Sequence, residues 1–323
     1  MAAGRGTYST VMSAHVGNFW LRPAVGLFAC IALLLPPSPA LTQTVDLSVF
    51  HRDYEEGDYG LAFEGFERAA AQGSAEAQFW LGILYDRGQG VARNRELAYQ
   101  WFVKAAGQGH DEAQRVVGVY LDEGETIAQD LEQAAAWYKR AVTQNNVKAM
   151  RNLAQLYVAG RGIARDFAKG ARLLRRAADR GNAKAMRNLG CLYYFGKGVP
   201  RDPAAATALF RMAAKAGLDK AKYNLGFVHY RGEGAPRDLA EAAYQFGQAA
   251  DQGNADAQLM LSRMYLLGEG VEKDLAKAYF WALLGAVQKP KLAEWHFDKL
   301  RGLLSLAQMD DIRAQSKAWN PKG

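Results

Sequence analysis

One spacing constrains this chain more than any other feature: displaced by 36 residues, it matches itself. Ala77, Ala113, Ala149, Ala185, Ala221 and Ala257 fall in one column. Gly88, Gly124, Gly160, Gly196, Gly232 and Gly268 fall in another. Asn94, Asp130, Asp166, Asp202, Asp238 and Asp274 share one chemistry. Ala105, Ala141, Ala177, Ala213, Ala249 and Gly285 are all small. No insertion or deletion interrupts the register from Ser74 to Lys289. A period of this length signals stacked supersecondary units, none of which buries its apolar face alone.

Each unit reads as two short helices. Ser74, Asn146, Asn182 and Asn254 can cap the first helix through a side-chain oxygen. Ala149, Leu153, Leu156 and Tyr157 mark its apolar face, at i, i+4, i+7 and i+8. The invariant glycine, Gly160 in that unit, suits a left-handed C-cap. Asp166 then caps the second helix, and Pro203 sits at a first helical position, where its missing N–H costs nothing. Gly109, Gly181, Gly217 and Gly253 close second helices. Mid-helix Gly82, Gly118, Gly190 and Gly226 each cost about 1 kcal/mol against alanine, which predicts a recurrent benefit such as close helix crossing. These glycines account for much of the total of 33.

On units such as AQFWLGILYDRGQGVARNRELAYQWFVKAAGQG, from Ala77 to Gly109, the chain resembles the Sel-one-like repeat family, a branch of the tetratricopeptide superfamily. The resemblance covers about two thirds of the chain and implies an all-α, right-handed α-solenoid. Ala154 and Ser262 depart from it at the mid-helix glycine, Thr126 at the second loop glycine and His229 at an aromatic position. Six repeats are expected over 74–289. A lone second helix is expected at 58–73, after a linker and the start of a half-repeat at 41–57. Atypical capping helices are expected over 290–323, at Leu292 to Leu304 and Ala307 to Trp319.

Residues 1–40 read as an export signal. Arg22 precedes an apolar run from Ala24 to Leu35, shorter than the roughly 20 residues a bilayer span needs. Pro36, Pro37 and Pro39 break it, and Ser38 and Ala40 supply small residues for cleavage after Ala40. Left uncleaved, the segment would anchor the protein, the one membrane association expected. Met12 is an alternative start, and Cys30 is followed by more apolar chain, unlike a lipoprotein acceptor. The expected location is the periplasm, with membrane-anchored or secreted forms as alternatives. After cleavage Cys191 stays alone, so no internal disulfide is available.

The formal net charge is +7, and two of those positives, Arg5 and Arg22, lie in the leader, leaving a mild +5. Without a run of like charges, no nucleic-acid tail is indicated. A catalytic motif search is equally empty: there is no H-E-x-x-H, G-x-S-x-G, paired C-x-x-C or phosphate loop, and Gly196-Lys197-Gly198 is the repeat's own turn. His51, His110, His229 and His296 are scattered. Neither a metal site nor a cofactor is expected. Some exported relatives are described as β-lactamase-like or penicillin-binding, but they resemble a type with a cysteine pair in each repeat, which this chain lacks. The sequence therefore reads as a non-enzymatic scaffold or regulator for a protein or peptide, with a cell-wall or β-lactam hydrolase and a secreted host-interaction factor as alternatives.

Stacking aligns equivalent positions of first helices, which the resemblance places on the concave wall. Lys148, Lys184 and Lys220 align, as do Arg115, Arg151 and Arg187, and Asn152, Asn188 and Asn224. Asparagine both donates to and accepts from peptide backbone, and arginine grips carboxylates bidentately. The nine residues suit an acidic or C-terminal peptide segment. A solvated face and a structural amide ladder is the other reading, and charged helix faces more often have that meaning. Glu76, Glu112 and Asp256 dilute the charge toward the ends. Trp80, Tyr194, Tyr223 and Tyr230 lie off the core register and are candidate anchors or packing between units.

Overall fold

The computed structural model describes residues 46–321, and among these it contains sixteen α-helices, numbered in chain order, and no strand. The segment read as an export signal lies outside the described residues. The array opens with α1 (Ser48–Glu56) and α2 (Tyr59–Ala71). Three pairs follow: α3 (Ala75–Arg87) with α4 (Arg95–Gly107), α5 (Asp111–Glu123) with α6 (Leu131–Thr143), and α7 (Val147–Ala159) with α8 (Phe167–Ala178). Three more continue the stack: α9 (Ala183–Phe195) with α10 (Pro203–Lys215), α11 (Asp219–Arg231) with α12 (Leu239–Asp251), and α13 (Ala255–Leu267) with α14 (Leu275–Gln288). The chain closes with α15 (Pro290–Leu300) and α16 (Leu306–Ala318). From α1 to α15 each helix packs on its neighbours in sequence, and α16 packs back on α14.

The helix boundaries follow from local chemistry. Every helix of the six pairs except α11 starts on a side chain that accepts a backbone N–H two or three residues inside the first turn. Each such cap is worth about 1 kcal/mol. In α5 the cap is His110, whose Nδ1 accepts from the Ala113 N–H at 3.1 Å. In α11 the position holds Leu218, which caps nothing. First helices end on a left-handed glycine, as Gly196 shows with φ of 65°. Where other second helices are followed by glycine, Asn145 takes the left-handed turn at φ of 64°. The loop glycine Gly198 is also left-handed, and a Cβ there would lie 2.3 Å from the Phe167 carbonyl carbon. That loop is fitted to its neighbouring unit.

The mid-helix glycines have a different purpose from helix crossing. A Cβ on Gly82, Gly118, Gly190 or Gly226 would meet the ring of Phe102, Tyr138, Phe210 or Phe246 at 2.6–2.7 Å. Each ring sits 20 residues downstream in the same unit and is essentially fully buried. Where the downstream residue is not aromatic, as at Leu174 and Ala282, the upstream one is Ala154 or Ser262. Glycine here is a seat for a ring. Burying such a ring is worth about 2–3 kcal/mol, more than the helix propensity given up.

The opening differs from the lone second helix expected at 58–73. α1 packs against α2 as a first partner, with the Phe50 ring over Gly65. It escapes the 36-residue register because its loop is short: Gly57 caps α1 and Asp58 immediately precedes α2, whereas Gly88 and Asn94 stand six apart. At the other end α15 and α16 bring Leu300 and Ile312 onto Leu266 and Tyr279, so the last pair's apolar face is covered.

Candidate partner-binding surface

The surface is built on the first helices of the middle repeats. Arg115, Arg151 and Arg187 take equivalent turns of α5, α7 and α9. All three are half-buried, and each has its Nε buried without a hydrogen-bond partner among the described residues. Arg151 is held below the usual arginine range by burial and by the neighbouring Arg115 guanidinium. A row of like charges with unmet donors favours an anion alongside it.

The first rung is already satisfied. Arg115 Nη2 lies 2.9 Å from Glu112 Oε1, and Lys148 Nζ reaches the same oxygen at 3.0 Å. Asn146 Nδ2 donates to the other Glu112 oxygen at 2.8 Å. Burial pushes the Glu112 carboxyl up, but the hydrogen bonds from Arg115, Asn146 and Lys148 outweigh it and hold it at about 2. In the next three units Lys148, Lys184 and Lys220 stand where Glu112 stands, and all three are exposed.

Three hollows run along this face. One of about 320 Å³ is bordered by Arg151, Lys184, Arg187, Asn188 and Lys220. Asp219 also faces it, already engaged by Asn254 Nδ2 at 2.9 Å. A second, of about 460 Å³, lies between α7 and α9, where Asp122 pairs with Arg161 at 3.0 Å. A third, of about 230 Å³ between α9 and α11, is walled by Phe210, Tyr223 and Phe227, with Arg187 and Cys191 at its α9 side. Arg187 borders all three.

The nine residues singled out from sequence therefore separate. Arg151, Arg187, Lys184, Lys220 and Asn188 converge on one groove. Arg115 and Lys148 are tied up by Glu112. Asn152 is 7% exposed and accepts from Arg151 Nη2 at 2.7 Å, so it is an internal brace. Asn188 accepts from Arg187 Nη1 at 3.2 Å yet stays on the groove. Asn224 lines the third hollow and donates to Cys191 Sγ at 3.3 Å.

Of the candidate anchors, Tyr194 is buried core, and Trp80 packs among His51, Tyr54 and Phe66. Tyr230 donates to Glu269 at 2.9 Å, whereas Tyr223 and the largely buried Tyr194 both line the third hollow. Sequence reasoning missed Phe195 and Phe227. The signal was present in the 36-residue columns: Val119, Gln155, Cys191 and Phe227 form one, and Glu123, Ala159 and Phe195 another.

A serine and histidine also meet, away from this face. Ser262 Oγ lies 2.7 Å from the Ala278 carbonyl and 2.9 Å from His296 Nδ1. The serine donates to the carbonyl, so it accepts from an Nδ1–H, the reverse of nucleophile activation. Burial and the nearby Arg263 push His296 down to about 4. The pair fastens α15 to the last repeat. Among the described residues no group of three His, Cys, Asp or Glu side chains gathers around a metal-sized site, and no helix is long and apolar enough to cross a membrane.

The family model for the Sel1 repeat matches seven consecutive stretches, 49–74, 75–110, 111–146, 147–182, 183–218, 219–254 and 255–286. The chain belongs to the Sel1 repeat family. The first stretch takes in the α1–α2 pair, so the Sel1 array has a seventh, contracted unit. A Sel1 repeat protein from Oxalobacter formigenes shares 32% identity, with a TM-score of 0.70 over 74% of this chain and 96% of that one. The protective antigen c5321 of uropathogenic Escherichia coli, displaying an SLR fold, shares 22% identity over 84% of this chain and 83% of that one, with a TM-score of 0.48. A Sel1 repeat protein from Klebsiella pneumoniae shares 22% over 62% of this chain and 98% of that one, with a TM-score of 0.44. Comparison with curated proteins finds no match. Sel1 arrays are generally protein–protein interaction scaffolds, typically without enzymatic activity, which does not favour the hydrolase alternative.

Proposed function

We propose that this Sel1 array is an exported scaffold that holds an acidic segment of a partner protein along the first helices α7, α9 and α11. The observation that carries the reading is Arg187. It borders three adjoining hollows, keeps a buried Nε without a partner, and has Lys184 where α5 has a neutralising glutamate. A carboxylate laid against Arg187 would pair with a half-buried guanidinium that has no carboxylate partner among the described residues, in a bidentate geometry lysine cannot match. Lys184 and Lys220 extend the attraction along the groove and raise the rate of encounter. Export rests on the leader sequence, and the sequence favours the periplasm as the site of action.

The test is fluorescence anisotropy with a labelled acidic hexapeptide, DEDAED, and its basic counterpart, KRKAKR. The full chain is compared with the Arg187→Gln/Lys184→Gln variant at low and high salt. Salt-sensitive binding of the acidic peptide, weakened about tenfold or more in the variant, is the expected result. Equal binding of both peptides, or of the acidic peptide by both proteins, overturns it. Recovery from the cell envelope of a chain beginning at Leu41 is expected for export with cleavage after Ala40. An intact N-terminus in the cytosol contradicts it.

A further inference from the structure

The hollow between α9 and α11 is unlike the rest of the groove. Its walls are the rings of Phe210, Tyr223 and Phe227, and Phe195, at 61% exposure, also lines it. An exposed phenylalanine on the rim of an open apolar hollow leaves a contiguous apolar patch in water, the kind of surface whose covering by a second molecule is favourable. The volume, about 230 Å³, exceeds the roughly 150 Å³ apolar cavity that accepts benzene, so a benzyl or isobutyl group fits. One border is Arg187, the residue the carboxylate-binding reading depends on. Asn224 also borders it, and its amide makes one donation to Cys191 Sγ, which leaves a second N–H and the oxygen for a peptide backbone.

We infer that this hollow is an anchor pocket for one large apolar side chain of the partner segment, immediately flanked by acidic residues. The inference rests on the acidic-segment reading and sharpens it: the recognised motif is a phenylalanine or leucine set within carboxylates. Arg187 serves both halves, with its guanidinium toward the anion and its stem against the pocket. The other two hollows are bordered mainly by charged and amide groups or shallow aliphatic ones, and neither offers three aromatic walls. Charge alone would accept any acidic chain. The pocket supplies the discrimination among acidic chains that a scaffold needs to choose a partner.

Cys191 makes the occupancy of the pocket measurable, because it lies in the pocket wall and is half-buried. The probes are two hexapeptides, DEDFED and DEDAED. The full chain is titrated with each by anisotropy, and the rate of Cys191 alkylation by iodoacetamide is followed by mass spectrometry of its proteolytic fragment. DEDFED is expected to bind about 10- to 100-fold more tightly than DEDAED, as burial of one large apolar side chain implies. At equal occupancy it slows Cys191 alkylation severalfold, and DEDAED does not. Phe195→Ser, at a largely exposed position, narrows the difference between the peptides, with equal folding checked by circular dichroism. If both peptides bind equally and neither protects Cys191, the anchor pocket is overturned while the acidic-segment reading stands. If neither peptide binds, both are overturned.

Discussion

Helices α5 and α9 carry the same arginine, two repeats apart, and treat it in opposite ways. In α5, Glu112 sits one turn before Arg115 and closes a network with Asn146 and Lys148. In α9 the residue one turn before Arg187 is Lys184, and no carboxylate is supplied. Both helices are capped by a side chain and end on a left-handed glycine, and both arginines are half-buried. The difference teaches that stability and binding are written in the same column of this repeat, and that one residue decides between them. A carboxylate there makes the unit self-sufficient. A lysine there leaves the charge for something outside the chain.

Acid should separate the closed places from the open one with the largest effect. His296 is held at about 4, below the usual 6.5, so the unfolded chain takes the proton first. The stability it contributes is complete above pH 6.5 and falls away by pH 4, by about 3 kcal/mol. Glu112 is held at about 2, below its usual 4.5, so its contribution is complete above pH 4.5 and is lost toward pH 2. Hydrogen exchange followed across this range should show α15 and the last repeat loosening first and α5 second. α9 has no carboxylate to protonate at that position.

Glu112→Gln should lower the unfolding free energy by about 2 kcal/mol, read by urea denaturation, because Arg115 and Lys148 lose their counter-charge. Arg187→Gln in the open unit should change it by less than about 0.5 kcal/mol while removing acidic-peptide binding. Equal stability losses at both sites would erase the comparison. Leu218→Asn should stabilise by about 1 kcal/mol by giving α11 the cap its siblings have. Leu218 also borders the groove, so the same change should weaken peptide binding modestly.

The smallest expected change in stability comes from the swap itself. Lys184→Glu copies the α5 arrangement into α9 and should add about 0.3–0.5 kcal/mol, since position 184 is exposed and the new charge stays solvated. Its effect on binding should be complete. A Lys184→Glu protein that still holds DEDAED would show that the groove does not read charge.

The fold was legible because the repeat writes each structural device into a fixed column. Asp166 as cap, Gly160 as left-handed stop and Pro203 at the first helical position are local rules, and each holds in the structure. The α1 helix was illegible for one reason: its loop is contracted, so the only long-range ruler in the sequence missed it. The binding face was half legible. Columns place Asn152, Asn188 and Asn224 together, but the first is buried beneath Arg151 and the other two line hollows, because side-chain burial depends on what neighbouring units present. Periodicity gives the address of a residue and is silent about its surroundings.

The glycine that seats an aromatic ring lies 20 residues upstream of that ring, inside the same unit. Both halves of the fit therefore travel together when a unit is duplicated, and a copied repeat arrives with its interior already matched. Only the boundary with its neighbours has to be adjusted. Growth by whole units leaves the interior columns fixed and the surface columns free to drift. An array of this kind can acquire a new binding face without being rebuilt from within.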